Sequence, residues 1–381
     1  MRRRLTIAES TSSTHIVVDG QPLINFSSND YLNLACDPRV IAAAADAIAR
    51  YGAGARSSRL VCGNLSVHEE LETELAAFKR TEAALVFSSG YLANIGVIQA
   101  LSQRADGSQV PVFFDRLSHA CIVDGALATG RNWRTFAHDE AFQLGQQLAR
   151  LPSRLSPRAL VVTEGVFSMD GDMADLGRLL KVCQMYKSLL VVDDAHGTGT
   201  VGRNGRGTAA YFKITDSPRI VHVGTLSKSL GSQGGFVAAS RSIIDLLINR
   251  ARTFIFDTGL APASAAAALQ SLRILQQEPG RVLTLQKNAR LLREQLLQPI
   301  VHTLPAGQTP IVPVILGEPE HAVDASRELL HKGMFVGAIR PPTVPKGTSR
   351  LRITLSSAHT QEQIKALAAH VRKMCEVPSR E

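Results

Sequence analysis

No stretch of the sequence approaches the roughly 18 consecutive apolar residues of a membrane-crossing helix. The start, MRRRLTIAESTSST, carries positive charge but lacks the apolar core of a signal peptide. A protein neither secreted nor membrane-spanning is expected. Cysteine is scarce too: five in 381 residues, widely spaced, odd in number and without a C-x-x-C pair. That argues against a disulfide framework and against a zinc knuckle or other metal site, and it suits a reducing cytoplasm. A basic stripe is also missing. The net charge of +9 is spread along the chain, with Arg2 to Arg4 as its one tight run, so no nucleic-acid surface is indicated. The excess still favours anionic ligands. Internal repeats and low-complexity linkers are not evident.

What is present describes a globular protein rich in tight turns, with 45% hydrophobic residues, 20% charged residues and 29 glycines. Its length suits one large α/β unit plus a smaller domain. From about residue 80 to residue 240 one grammar recurs: a short apolar run, a cluster of small and polar residues, then a helical pattern. The runs are ALVF (84–87), VPVFF (110–114), ALVVT (159–163), LLVV (189–192), RIVHV (219–223) and GGFVAA (234–239). Unalternated runs of this kind predict a mostly parallel sheet covered on both faces. After Thr258 come two long helical stretches, followed by strand-like IVPVIL, helical DASRELLHKG, strand-like RLRITL and a last helix from about Thr360. That order predicts a small α/β lobe.

The tails of the runs carry the chemistry: SSGYLAN, DRLSHA, EGVFSMDGD, DDAHGTG and GTLSKSLG. In open parallel sheets the ligand crevice lies outside the carboxyl ends of the strands, so these tails point at one site. Asp193 stands first after an apolar run, where a buried carboxylate needs a cation or a donor. His196 follows three residues later, and Asp194 is expected to face the other way, into structure or solvent. Lys228, between two serines on a glycine-flanked turn, can form a Schiff base with a carbonyl and act as a base. A solvated loop lysine, and an acidic loop with a structural histidine, are the plainer alternatives. Lysine with aspartate is nevertheless the pair that pyridoxal 5'-phosphate requires, one for the aldehyde and one to keep the ring nitrogen protonated. SSGYLAN adds an anion site, because a glycine turn opening a helix exposes backbone N–H groups; Gly90 and Tyr91 are the candidate donors, with hydroxyls from Thr225 and Ser227. His119 can lie flat on the cofactor ring and Ser168 can bond its phenolic edge. Two further glycine-rich stretches lack both the dinucleotide and the P-loop spacing.

The ordered series INFSSNDYLNL, RLVCGNLSVHEELE, FSSGYLAN, DRLSHA, TEGVFSMDGD, VVDDAHGTGTVG, GTLSKSLGSQGG and AIRPPTVPKGTSRLRITLSSAH resembles the α-oxoamine synthases, fold-type I pyridoxal-phosphate enzymes, over nearly the whole chain. The resemblance implies an α/β fold with a mostly parallel central sheet, helices on both faces and a smaller C-terminal α/β domain. The expected division is an N-terminal segment over 1–40, a large cofactor-binding domain over 41–270 and a small domain over 271–381. NFSSNDYL, EGVFSMDGD and RPPTVPKGTSRLR are most similar to the branch that joins L-alanine to a pimeloyl thioester of coenzyme A or acyl carrier protein, in biotin synthesis. Sister branches use glycine or serine with another acyl thioester. A same-fold aminotransferase and a non-catalytic anion-binding protein are the remaining rivals.

Carried onto this sequence, the resemblance makes Lys228 the Schiff-base lysine, Asp193 the partner of the pyridine nitrogen, His196 the donor to the phenolic oxygen and His119 the stacking residue. Gly90, Tyr91, Ser168 and Thr225 would complete the cofactor site. Arg352 with Asn29 would take the amino-acid carboxylate, Thr343 would lie in the substrate pocket, and Arg2 would touch substrate. A cytoplasmic homodimer with active sites at the subunit interface is also implied. Three departures accompany this reading: an N-terminal helix of the family is missing, Asn33 stands where glycine is common, and Arg56-Ser57-Ser58 replaces a more glycine-rich turn.

Overall fold

The first strands are short: β1 (Ala8–Ser10), β2 (His15–Val18) and β3 (Gln21–Asn25) pair antiparallel in sequence order. The computed structural model describes residues 5–10, 12–104, 106–152, 157–296 and 309–376. Two compact units emerge, one of Pro38–Phe167 and Met173–Gln277, the other of Met1–Asp37, Ser168–Asp172 and Glu278–Glu381.

The unalternated apolar runs become the sheet of the larger unit. Its strands are β4 (Ala83–Phe87), β5 (Val112–Asp115), β6 (Trp133–Phe136), β7 (Leu160–Glu164), β8 (Leu189–Asp193), β9 (Ile220–Thr225) and β10 (Gly235–Ala239), in the order β4-β10-β9-β8-β7-β5-β6. The pairings from β9 through β6 are parallel, and β10 runs antiparallel to both its neighbours. Successive side chains of a strand go to opposite faces, and both faces here meet apolar layers. Leu160, Val162, Val191, Val221 and Val223 join one core, with Val97, Ile98, Ile122, Ile244 and Leu247 from helices. Val161, Leu190, Val192 and Ile220 join the other, with Leu144, Leu148, Leu176 and Leu179. A sheet covered on both faces leaves its strand ends as the place for polar chemistry. The register sets Glu164 opposite Asp193, and Asp193 opposite Val223, so the carboxyl ends of β7, β8 and β9 are level.

Close backbone approach fixes one edge of this arrangement. A Cβ on Gly235 would lie 2.5 Å from the backbone of Ser89 and Gly90, so β10 can pack against the start of the helix Gly90–Leu101 only with glycine there. Ser89 caps that helix by accepting from the Leu92 amide at 3.1 Å.

In the smaller unit, β11 (Ile311–Gly317), β13 (Gly337–Ile339) and β14 (Ser349–Thr354) form an antiparallel sheet in the order β11-β14-β13. β12 (Met334–Phe335) instead pairs parallel with β3. The first described strands and the last hundred residues therefore share a sheet. Helices Pro319–His331 and Gln361–Glu376 follow the two segments read as helical. Asn33 and Arg56 both adopt left-handed backbone, at φ 54 and 70, the conformation glycine holds without a Cβ penalty.

Candidate active site

Lys228 stands on the turn between β9 and β10. The turn is closed by Leu226 N–H to Gly234 O and Ser232 N–H to Leu226 O, both at 2.9 Å, while Leu226 and Leu230 are buried beneath it. The half-buried lysine reaches His196, with Nζ 2.9 Å from Nε2. Asp193 ends β8, the strand beside β9, His196 follows in the loop that leaves it, and both are buried. The 35 positions that separate Asp193 from Lys228 thus collapse to neighbouring strand ends.

Asp193 is almost wholly withdrawn from water. Its Oδ2 accepts from Asn94 Nδ2 at 2.8 Å and its Oδ1 from the Ala195 amide at 3.0 Å. Burial pushes its carboxyl above the usual carboxylate range, and the charge of Lys228 opposes that push. A carboxylate so placed favours any further cationic donor brought to it. Asp194, one residue on, turns into the structure. Both its oxygens are taken, by Lys79 Nζ at 2.8 Å and by Thr208 Oγ1 at 2.8 Å, among others.

His119 caps the helix Ala120–Leu127, and its own N–H donates to Glu164 Oε1 at 2.7 Å. That bond ties the DRLSHA loop to the end of β7. The Nδ1 atom accepts from the Cys121 amide at 3.2 Å and lies 3.0 Å from Cys121 Sγ. Burial holds the imidazole below its ordinary pKa, with Asp193 working against the shift. A ring whose Nδ1 accepts is neutral and carries its proton on Nε2.

At the start of the helix Gly90–Leu101 a Cβ on Gly90 would come 3.2 Å from Thr225 Cβ and 3.3 Å from Thr225 Oγ1. The orphan N–H groups of this helix and the Thr225 hydroxyl are therefore neighbours. Thr225 Oγ1 lies 2.7 Å from Ser227 Oγ and donates to Gly234 O at 3.0 Å. The Tyr91 ring is exposed and its hydroxyl bonds Asp124, which raises its pKa, so the phenol stays protonated. The larger unit thus supplies an amine, a buried acid, a helix N-terminus with a hydroxyl and two imidazoles. These are the donor types that an aldehyde-bearing, phosphorylated pyridine requires, and the residues present fit pyridoxal 5'-phosphate.

The other predicted residues belong to the smaller unit. Arg352, on β14, donates from Nε to Ser168 O at 2.5 Å. Asn29 accepts at Oδ1 from the Tyr31 hydroxyl at 3.1 Å. Thr343 lines a cavity of about 660 Å³ together with Pro319, Glu320, Arg340 and Pro342. Arg2 lies outside the described residues. Four neighbours escaped the sequence reading: Asn94, Cys121, Glu164 and Tyr31. Of these only Asn94 had a local signal, since it falls four residues after Gly90 and so one helical turn above it.

Sheet order and donor set together define a fold-type I pyridoxal-phosphate enzyme. A family model described as aminotransferase class I and II matches residues 21–371, and the chain belongs to that family. It is 48% identical over 361 residues to the 8-amino-7-oxononanoate synthase of Methylococcus capsulatus, across 95% of this chain and 91% of the relative. To the enzyme of that name from Lysinibacillus sphaericus it is 42% identical over 374 residues, across 98% and 94%. A serine palmitoyltransferase variant from S. paucimobilis, solved with PLP and myriocin, superposes with a TM-score of 0.91 at 33% identity, across 97% and 92%.

Proposed function

We propose that the protein is a decarboxylating C-acyltransferase. It condenses L-alanine with a pimeloyl thioester to give 8-amino-7-oxononanoate, carbon dioxide and the free thiol, a step of biotin synthesis. The observation that carries this reading is the amine of Lys228 held at 2.9 Å from His196, beside a buried Asp193, in a chain 42% and 48% identical to two such synthases. Identity to the serine palmitoyltransferase is lower, at 33%, so a sister activity on serine or glycine is the less favoured reading.

Pyridoxal phosphate, when bound, supplies the electron sink that stabilises a carbanion at the amino-acid α-carbon. Asp193 would keep the ring nitrogen protonated, its burial strengthening that contact. His196 would donate to the phenolic oxygen, and His119 would be the stacking residue. The Gly90 and Tyr91 amides with the Thr225 hydroxyl would hold the phosphate, and Ser168 would complete the set. Lys228 would hold the cofactor's aldehyde, and its Nζ is the base that would take the amino-acid α-proton and return one. Arg352 and Asn29 receive the carboxylate, Arg352 in the two-pronged manner its geometry allows. Thr343 lines the substrate pocket. The reading carries with it a cytoplasmic homodimer and an acyl carrier that is either coenzyme A or a carrier protein.

A substrate panel tests the proposal. Holoenzyme is given L-alanine, glycine or L-serine and followed by absorbance, then supplied with pimeloyl thioester and assayed for ketone and carbon dioxide. L-alanine should give both responses. Product from glycine or serine but not from alanine would move the protein to a sister branch.

A further inference from the structure

Tyr31 has no solvent exposure, and its phenol sits between the two side chains assigned to the amino-acid carboxylate. The backbone around it is pinned by Tyr31 N–H to Asn29 O at 2.9 Å and Ser357 N–H to Tyr31 O at 2.8 Å. The hydroxyl donates to Asn29 Oδ1 at 3.1 Å and receives a hydrogen bond from Arg352. Arg352 Nε is in turn fixed on Ser168 O. Burial drives the phenol up to about 12, the Arg352 charge notwithstanding, so it keeps its proton at working pH.

The hydrogen-bond inventory then determines orientation. A phenol oxygen that accepts from guanidinium must send its one proton to an acceptor, which here is the amide oxygen of Asn29. The NH2 end of Asn29 is thereby the end left to donate. Arg352, held at Nε and by the phenol, keeps further N–H groups for a bidentate contact. We infer that Tyr31 is a positioning residue that sets Asn29 and Arg352 together as a donor pair for the substrate carboxylate. This rests on the proposed carboxylate roles of Arg352 and Asn29.

The test uses holoenzyme and two ligands, L-alanine and L-alaninamide, with dissociation constants from titration calorimetry and KM and kcat from turnover. Tyr31→Phe removes only the hydroxyl. Losing a hydrogen bond to a charged group is worth about tenfold in affinity. The alanine dissociation constant and KM should both rise by about that factor, with alaninamide binding and kcat unchanged within about twofold. Equal weakening of both ligands, or unchanged alanine affinity, would overturn the inference. Arg352→Lys separates the two levels: if it spares alanine affinity, the carboxylate reading falls and this inference with it. If it weakens alanine while Tyr31→Phe does not, the inference alone falls. Should Tyr31→Phe fail to fold, Asn29→Asp leaves the phenol its acceptor and replaces the NH2 donor by a charge that repels carboxylate. Selective loss of alanine binding supports the assignment, and loss of both ligands alike overturns it.

Discussion

Lys79 and Lys228 both answer to the aspartate pair Asp193–Asp194, yet their surroundings differ in kind. Lys79 is buried and gives its three protons to Asp194 Oδ2, Thr198 Oγ1 and Arg206 O, each at 2.8 Å. Asp194 is equally occupied, and Gly165, Gly197 and Gly207 lack the Cβ atoms that would strike its carboxylate. Such a pair has no capacity left for a ligand. Lys228 instead approaches a ring nitrogen, while Asp193 is held by an amide side chain and a backbone N–H at the mouth of β8. Two adjacent carboxylates, pointed apart by strand geometry, thus divide into one wholly occupied by the fold and one proposed to meet the cofactor.

The sharpest way to break that comparison is to remove each lysine. Lys228→Ala should abolish condensation and leave the thermal melt of the apoprotein unchanged. Lys79→Met should do the reverse in kind, because it strands a buried charge at a cost of about 3–5 kcal/mol. Chemical denaturation would read it as a lower midpoint. A Lys79→Met protein as stable as the parent would show that the anchor is not one.

A smaller effect is expected from acid. His68, His222 and His359 are each drawn down to about 4 by burial, and His222 is also repelled by Lys79. Above pH 7 these rings are neutral in both folded and unfolded chains and add no pH dependence. As pH falls from 6.5 towards 4 the unfolded chain takes up protons that the fold refuses, so stability drops. Wholly buried His222 contributes at most about 3 kcal/mol to that drop. Asp193, whose pKa is raised, acts in the opposite sense once it gains its proton in the fold first. Denaturation midpoints between pH 8 and pH 4 should show a decline that His222→Gln makes shallower. An unchanged slope would count against the buried neutral ring beside Lys79.

Much of this was legible because it is local. The apolar runs at Leu85, Val161, Val191 and Val221 announce their strands, since a strand buried on both faces has no polar positions to obscure it. The edge strand β6, WRTF, escaped notice because Arg134 and Thr135 face solvent. The pairing of β3 with β12 joins residues some three hundred positions apart, and nothing in either segment names the other. The chemistry followed the same division. Lys228, Asp193, His196 and His119 lie in tails that read as polar clusters after apolar runs. Asn94, Cys121 and Tyr31 act only through what folding sets beside them. Asn33 and Arg56 read as departures from glycine and prove to hold left-handed backbone, a conformation that costs a side-chain-bearing residue about 1–2 kcal/mol.

Lys228, not Lys79, is the lysine proposed to carry the cofactor. Holoenzyme reduced with borohydride, digested and sequenced by mass spectrometry tests it most directly. A pyridoxyl phosphate group is expected on the peptide that contains Lys228, and none after Lys228→Ala. A modified peptide elsewhere, or an unmodified Lys228 in fully yellow, active protein, would contradict it.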